Sequence, residues 1–323
     1  MNNKTLEQIY VEHSGKVSDK WSLYLSEYDY LFRDLRNHRI NMLEIGIQNG
    51  GSLEIWSKYF SNANSIVGCD INSDCSKLEY NSKVIGIVVG DANNGSVEKK
   101  ICGNDMKFDI VIDDGSHTSG DIIKSFCRYF RHLKENGVFV AEDSHCSYWS
   151  SFDGGLYYPF SSISFFKRLA DVVNFEHLGI HKTRKELLSS FIDKYNLILE
   201  EGDLQNIHSI YFANSLCVVR KQKSNLNQLG QRCVVGSDAI VYPVVRELNK
   251  TCSIALDQTQ NPYTILPVPP EEAFFTIEKQ NIELSAENQY MRNSLSWRLT
   301  KPFRIAFRYA RKFLKGGDNS LAV

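Results

Sequence analysis

Leu43-Glu44-Ile45-Gly46-Ile47-Gln48-Asn49-Gly50-Gly51 decides the fold of this chain. It ends an apolar run, Met42 to Ile47, that reads as a strand, and it opens an amphipathic stretch, Ser52 to Tyr59, that reads as a helix. Glycines between a strand and a helix let the backbone turn sharply and approach a ligand closely. A dinucleotide site would have the spacing G-x-G-x-x-G, whereas this turn has G-x-x-x-G-G with Glu44 just ahead of it. A carboxylate there repels a pyrophosphate but attracts a cationic methionine moiety.

Outward from this turn, short runs rich in Ile and Val alternate with longer amphipathic segments as far as residue 143, the rhythm of repeated βα units. The runs are Met42 to Ile47, Ser65 to Ile71, Val84 to Val89, Phe108 to Ile112 and Gly137 to Ala141. Helices are expected near 161–176 and 183–196. Ile207 to Phe212 and Ser215 to Val219 flank Ala213-Asn214 and predict an antiparallel hairpin. The expected fold is a doubly wound, Rossmann-like α/β sheet, mostly parallel, closed by that hairpin and followed by a helical C-terminal extension.

The strand ends carry the chemistry, because open parallel sheets bind ligands at their carboxyl ends. Asp70 closes the second run, placed to accept hydrogen bonds from ribose hydroxyls, and Asp91 follows the third, placed to meet an adenine amino group. The fourth and fifth runs end in Ile112-Asp113-Asp114-Gly115-Ser116-His117 and Ala141-Glu142-Asp143-Ser144-His145. If these strands are neighbours, Asp114, Glu142 and Asp143 converge beside the methyl donor, and three hard oxygen ligands suit Mg²⁺. Asp113 is counted with the cofactor contacts. His117 is the candidate general base, since histidine ordinarily titrates near neutrality. Each acid alone also reads as a loop residue or helix cap. His117, His145 and a carboxylate would instead make the two-histidine, one-carboxylate iron site of an oxygenase.

At 323 residues, 42% hydrophobic and 23% charged, the chain can bury a sizeable core. Its net charge of −1 hides an asymmetry: residues 292–315 hold eight Arg or Lys and no acid, leaving residues 1–291 at −8. An acidic body argues against nucleic acid as a partner. The opening MNNKTLEQIYVEH has no apolar core of a signal peptide and no window suits a bilayer span, so a cytoplasmic location is expected. Eight cysteines without a C-x-x-C pair point to reduced thiols.

The combination LEIGIQNGGSLEIWSKYF, VGCDI, FDIVIDDGSH, VAEDSHCSYWSSFDGG and HSIYFANSLCVVRK resembles the metal-dependent sugar O-methyltransferases typified by the mycinamicin and macrocin enzymes, with part of the pattern shared by cephalosporin-hydroxylase-like proteins. The similarity covers residues 16–221 and includes SDKWSLYLSEYDYLF, which looks like the family's covering N-terminal segment. It implies a class I, S-adenosylmethionine-dependent O-methyltransferase that uses Mg²⁺. The family's metal ligands fall on Asp114, Glu142 and Asp143, its proposed base on His117, and its cofactor contacts on Glu44, Gly46, Asp70 and Asp91. Ser144-His145-Cys146 departs from the pattern, in which Leu commonly follows the Glu-Asp pair.

Four of the seven prolines fall at 262, 267, 269 and 270. The expected organisation is a helical cover at 1–39, a methyltransferase domain at 40–221, an irregular extension and linker at 222–270, a helical segment at 271–315 and a disordered end at 316–323. Phe274, Ile277, Leu284, Met291 and Leu295 lie at a/d spacing, which suits a short coiled coil, and thus a homo-oligomer, or a single helix packed on its own domain. Ser294 to Arg304 looks like a tail of bacterial surface-polysaccharide assembly proteins, which favours a glycan acceptor. Beyond it Phe303, Phe307, Ala310 and Leu314 share a helical face ringed by Arg304, Arg308, Arg311, Lys312 and Lys315, suited to an anionic membrane surface, a glycosyltransferase partner or the chain's own acidic body. A third class of function, an inactive scaffold for glycan assembly, conflicts with the full set of site residues.

Overall fold

The computed structural model describes residues 4–103, 105–265 and 270–300, together with Pro302 and Arg304. The chain divides into two units between Pro267 and Val268. In the first, the strands are β1 (Asn41–Ile45), β2 (Ser65–Asp70), β3 (Ile85–Val89), β4 (Phe108–Asp113), β5 (Leu133–Ala141), β6 (Ile207–Ala213) and β7 (Leu216–Lys221). They form one sheet in the order β3-β2-β1-β4-β5-β7-β6, with β7 antiparallel to both of its neighbours and the rest parallel. This is the expected doubly wound, Rossmann-like sheet with its terminal hairpin. The chain leaves β1 in one direction for β2 and β3 and returns to its other side for β4, so the switch point where such sheets bind ligands lies between β1 and β4.

The ends of the elements differ from the apolar runs for local reasons. β1 stops at Ile45, two residues early, because Gly46 turns out of the sheet at φ +83°. β5 starts four residues before Gly137, through the polar Lys134-Glu135-Asn136, where the pairing with β4 is irregular and Asn136 has φ +62°. The hairpin turn is Asn214-Ser215, one residue later than the expected Ala213-Asn214.

The pleat sorts the core. Met42, Ile110, Ile112, Val138 and Val140 face one side, packed with α1 (Leu6–Val11), α2 (Ser22–Phe32) and α3 (Gly51–Tyr59) through Tyr28, Phe32, Trp56 and Phe60. On the other side Phe139 packs with Phe126 of α5 (Ser119–Tyr129), and Phe126 in turn with Phe165 and Phe166 of α6 (Ser162–Val173). α4 (Gly95–Cys102) is tied to α5 by Glu98, which accepts hydrogen bonds from Arg128 and, at 2.9 Å, from His132. Six cysteines are buried and free, and Cys233 and Cys252 are exposed and free.

Residues 222–265 hold short 3-10 turns, an antiparallel bridge between Gln231 and Cys252 and the helix Pro262–Ile265, and they attach through Leu229 N donating to Glu176 Oε1 at 2.7 Å and Gln258 N donating to the Gly179 carbonyl at 2.8 Å. The second unit contains the 24-residue helix Pro270–Asn293 and a turn of helix, Leu295–Leu299, capped by Ser294. Its a/d residues Ile277, Leu284, Met291 and Leu295 are exposed. The basic face formed by Arg308, Arg311, Lys312 and Lys315 lies outside the described residues. No helix among the described residues is long and apolar enough to cross a membrane.

Candidate active site

Strand register builds the site. Ile45 is level with Cys69 on one side and Asp113 on the other, and Asp113 is level with Ala141. The ladder runs one residue further: Gly46 N donates to the Cys69 carbonyl, Asp114 N to that of Ile45 and Glu142 N to that of Asp113, at 2.8, 2.8 and 2.9 Å. Gly46, Asp114 and Glu142 therefore stand side by side at the carboxyl edge. They border a cavity of about 530 Å³ that also receives Asp70, Asp91, Asp113, His117 and Asp143.

The turn that opened the sequence argument is held from below. Asp70 Oδ2 accepts the amides of Ile47 and Gln48 at 3.0 and 2.9 Å, and its Oδ1 accepts Asn72 N at 2.8 Å. A carboxylate has about four acceptor positions, so one remains on Oδ1 for a ligand hydroxyl. A methyl group on Gly46 would lie 2.0 Å from the Asp114 carbonyl oxygen, so glycine there permits the close meeting of β1 and β4. Asp91 is exposed, its Oδ1 accepting Asn93 N at 2.8 Å. Asp113 is buried, accepts Gly115 N at 3.2 Å, and is pushed up by burial to about 6.

Glu44 is placed differently from expectation. It does not border the cavity but is fully buried behind it, with Oε2 accepting the Ser52 hydroxyl at 2.7 Å and Oε1 3.4 Å from the ammonium of Lys20.

The predicted metal set separates into two groups that share Asp114. In the open group, His117 Nε2 lies 3.6 Å from Asp143 Oδ2 and 3.9 Å from Asp114 Oδ1. In the buried group, Lys20 Nζ lies 2.5 Å from Asp114 Oδ2 and 2.7 Å from Glu142 Oε1, and Tyr28 donates to the same Glu142 oxygen at 2.6 Å. Burial lifts the carboxyls of Glu142 and Glu44 above their ordinary range while Lys20 opposes that rise. Burial works against the charge of Lys20, but Glu142, Asp114 and Glu44 outweigh it and hold the ammonium well above its ordinary pKa.

Asp143 is oriented by the N-terminal segment and the hairpin. Its Oδ1 accepts Trp21 Nε1 at 3.0 Å and the Tyr24 hydroxyl at 2.8 Å, and Tyr24 also bonds the Ser215 hydroxyl at 2.8 Å. Asp143 and His117 both adopt left-handed backbone conformations, φ +50° and +57°, which side chains rarely take and which recur at functional sites. His117 Nδ1 is buried without a hydrogen-bond partner, and Nε2 faces the two carboxylates. His145 Nδ1 lies 2.5 Å from Ser215 Oγ and 4.0 Å from Asp143 Oδ1. Among the described residues no candidate ligand group contains both histidines.

Lys20 and Tyr28 are not singled out at the sequence level, and Tyr24 figures there only as an aromatic that could stack on a sugar face, not as a partner of Asp143. Three acids of matching strand parity demand a counter-charge, and SDKWSLYLSEYDYLF supplies one lysine and these phenols.

No family model matches the chain. It is 32% identical over 164 residues to the 8-demethyl-8-alpha-L-rhamnosyl tetracenomycin-C 2'-O-methyltransferase of Streptomyces olivaceus, covering 48% of this chain and 42% of that one. It is 36% identical over 151 residues to the demethylmacrocin O-methyltransferase of Streptomyces fradiae, 44% of this chain and 37% of that protein. The mycinamicin VI 2''-O-methyltransferase of Micromonospora griseorubida is 36% identical over 138 residues, covering 41% and 34%. The matches thus span less than half the length of these curated relatives. Among solved structures, a MycE methyltransferase from the mycinamycin biosynthetic pathway, in complex with Mg and SAH, superposes with TM-score 0.57 at 26% identity, covering 69% of this chain and 55% of that one. Its complex with Mg, SAH and mycinamycin VI gives TM-score 0.54 at 25% identity, covering 69% and 56%. The chain is homologous to sugar O-methyltransferases and has the Rossmann-like fold of the class I, S-adenosylmethionine-dependent methyltransferases.

Proposed function

We propose that this chain methylates a sugar hydroxyl, using S-adenosylmethionine as donor and Mg²⁺ as activator. The observation that carries the reading is the meeting, in one cavity, of the glycine turn clamped by Asp70 with the Asp114, His117 and Asp143 group. The cavity volume suits a nucleoside-sized ligand. The two carboxylates of the open group present oxygen atoms within 4.8 Å of each other, hard donors that fit a divalent cation, and leave the imidazole beside them free to act as a base.

When bound, the donor supplies an electrophilic methyl group and the cation lowers the pKa of an acceptor hydroxyl. Asp70 and Asp91 hold the nucleoside side of the cavity, and Asp113 forms its floor. Asp114 and Asp143 would hold the cation, with Glu142 behind them. His117 takes the hydroxyl proton at Nε2, and the adjacent carboxylates stabilise the imidazolium that results. Trp21 and Tyr24 keep Asp143 aimed at the cavity, and the Trp21 to Tyr28 stretch limits the access of water.

The acceptor is a sugar on a glycan or glycosylated intermediate; the name of the tetracenomycin relative specifies a rhamnosyl group carried on a larger molecule, and the resemblance of Ser294 to Arg304 supports a bacterial surface glycan. The eight basic residues between 292 and 315 favour a peripheral position at an anionic membrane face, beside a glycosyltransferase. Calorimetric titration with S-adenosylmethionine and S-adenosylhomocysteine, with Mg²⁺ and with EDTA, tests the reading. Binding of both nucleosides is expected; binding of neither under both conditions overturns it.

A further inference from the structure

The buried acids gather on one face of the sheet because of its pleat. Glu44, Asp114 and Glu142 stand two residues beyond Met42, Ile112 and Val140, all of which face α2 and α3. Side chains two apart along a strand share a face, so the three carboxylates are brought together beneath the segment joining α1 to α2. Buried together, three like charges repel one another strongly, and they take up protons or turn apart unless a counter-charge joins them.

Lys20 is that counter-charge. Its side chain is 5% exposed, and its ammonium reaches Asp114 Oδ2, Glu142 Oε1 and Glu44 Oε1 at 2.5, 2.7 and 3.4 Å. Asp114 is divided between two neighbours: Oδ2 goes to Lys20, while Oδ1 faces His117 on the cavity side, where Asp143 Oδ2 also points. The lysine thus fills the buried side of the cluster and leaves the open side to another cation.

We propose that Lys20 is a positioning residue for the divalent-cation site: its ammonium gathers Glu44, Asp114 and Glu142 so that Asp114 presents its second oxygen beside Asp143. The inference deepens the metal-assisted reading above and rests on it. It also gives the segment between α1 and α2 a function beyond covering the cavity, since this segment carries the lysine. The opposite arrangement, in which Lys20 competes with the metal for the same oxygens, predicts the opposite response to its removal.

The test is titration of the full chain with Mn²⁺ as the probe, without nucleoside, following the free-ion signal by electron paramagnetic resonance. Wild type is expected to bind, and Lys20→Met to bind about tenfold or more weakly, the scale on which supporting residues affect metal sites. Lys20→Met/Glu44→Gln removes one acid with the lysine and keeps an acceptor for Ser52; it is expected to return to within a few-fold of wild type. Mn²⁺ binding by Lys20→Met that equals or exceeds wild type overturns the proposal. So does a folded double variant, checked by circular dichroism, that fails to recover, because loss of packing alone is not repaired by restoring charge balance. The comparison of the double variant with wild type stands by itself should Lys20→Met not fold. Absence of Mn²⁺ binding by wild type overturns the metal-assisted reading, and the inference with it.

Discussion

Gly51 donates its amide to the carbonyl of Val17 at 3.1 Å, and a methyl group on its Cα would lie 2.1 Å from the carbonyl oxygen of Lys16. This second glycine of the pair is therefore required by the chain's own N-terminal segment, which it lets lie against the first turn of α3. Gly51→Ala is expected to push that segment off the cavity. Stability should fall by about 1–3 kcal/mol, the usual cost of overpacking, and S-adenosylhomocysteine affinity should fall with it. Urea unfolding and calorimetric titration measure the two; unchanged affinity would show that the segment takes no part in the site.

His117 stands 3.6 Å from Asp143 and borders the cavity without joining the clamp on the glycine turn. His117→Ala is expected to lower turnover by about 100-fold or more, the range for loss of a general base, with S-adenosylmethionine binding within a few-fold of wild type. Unchanged turnover in a single-turnover assay would remove the base assignment.

Asp143 links Trp21 and Tyr24 to the open ligand group. Asp143→Asn keeps the size of the side chain but loses its charge, and it is expected to raise the Mg²⁺ concentration needed for half-maximal methyl transfer about 10–100-fold. EDTA should abolish transfer by wild type. Activity indifferent to both would exclude the metal role.

Glu54 secures the same N-terminal segment: its Oε2 accepts Lys16 N and its Oε1 accepts Lys16 Nζ, both at 2.9 Å. Partial burial works against its charge, but the bonds from Lys16 prevail and hold its carboxyl below the ordinary 4.5. An acid depressed in the folded state stabilises above its unfolded pKa, and that contribution is lost as pH falls through the folded value. Glu54→Gln should therefore cost stability at neutral pH, by about 1 kcal/mol or less for a pair still partly open to solvent. The gap from wild type should close on acidification from 4.5 downward. A gap constant with pH, measured by urea unfolding, would show that charge is not what matters at this position.

Much of this was written locally. Short, nearly continuous apolar runs, each ending in Gly or an acid, identify the parallel strands, because a strand buried on both faces needs a continuous apolar run and its carboxyl end is where polar residues meet solvent. Asp70, Asp114, His117 and Asp143 are visible for the same reason. The beginning of β5 was hidden, since Lys134-Glu135-Asn136 carries no apolar signal and is tied to its surroundings by side chains, Lys134 to Asp109, Glu135 to Lys223 and Asn136 to Gln222.

The sequence by itself determined the sheet, the glycine turn and the types of residue at its edge, all of which follow from short-range pattern and backbone sterics. The division of the acids was decided only by tertiary structure. Strand register set Gly46, Asp114 and Glu142 level at the sheet edge and left Glu44, two residues short of it on the same face, buried behind the cavity. A segment from well before β1 then delivered Lys20 to the buried carboxylates and Tyr24 to Asp143. Adjacent residues such as Glu142 and Asp143 look equivalent in a sequence, but alternate side chains point to opposite faces, and what waits on each face is set by distant parts of the chain.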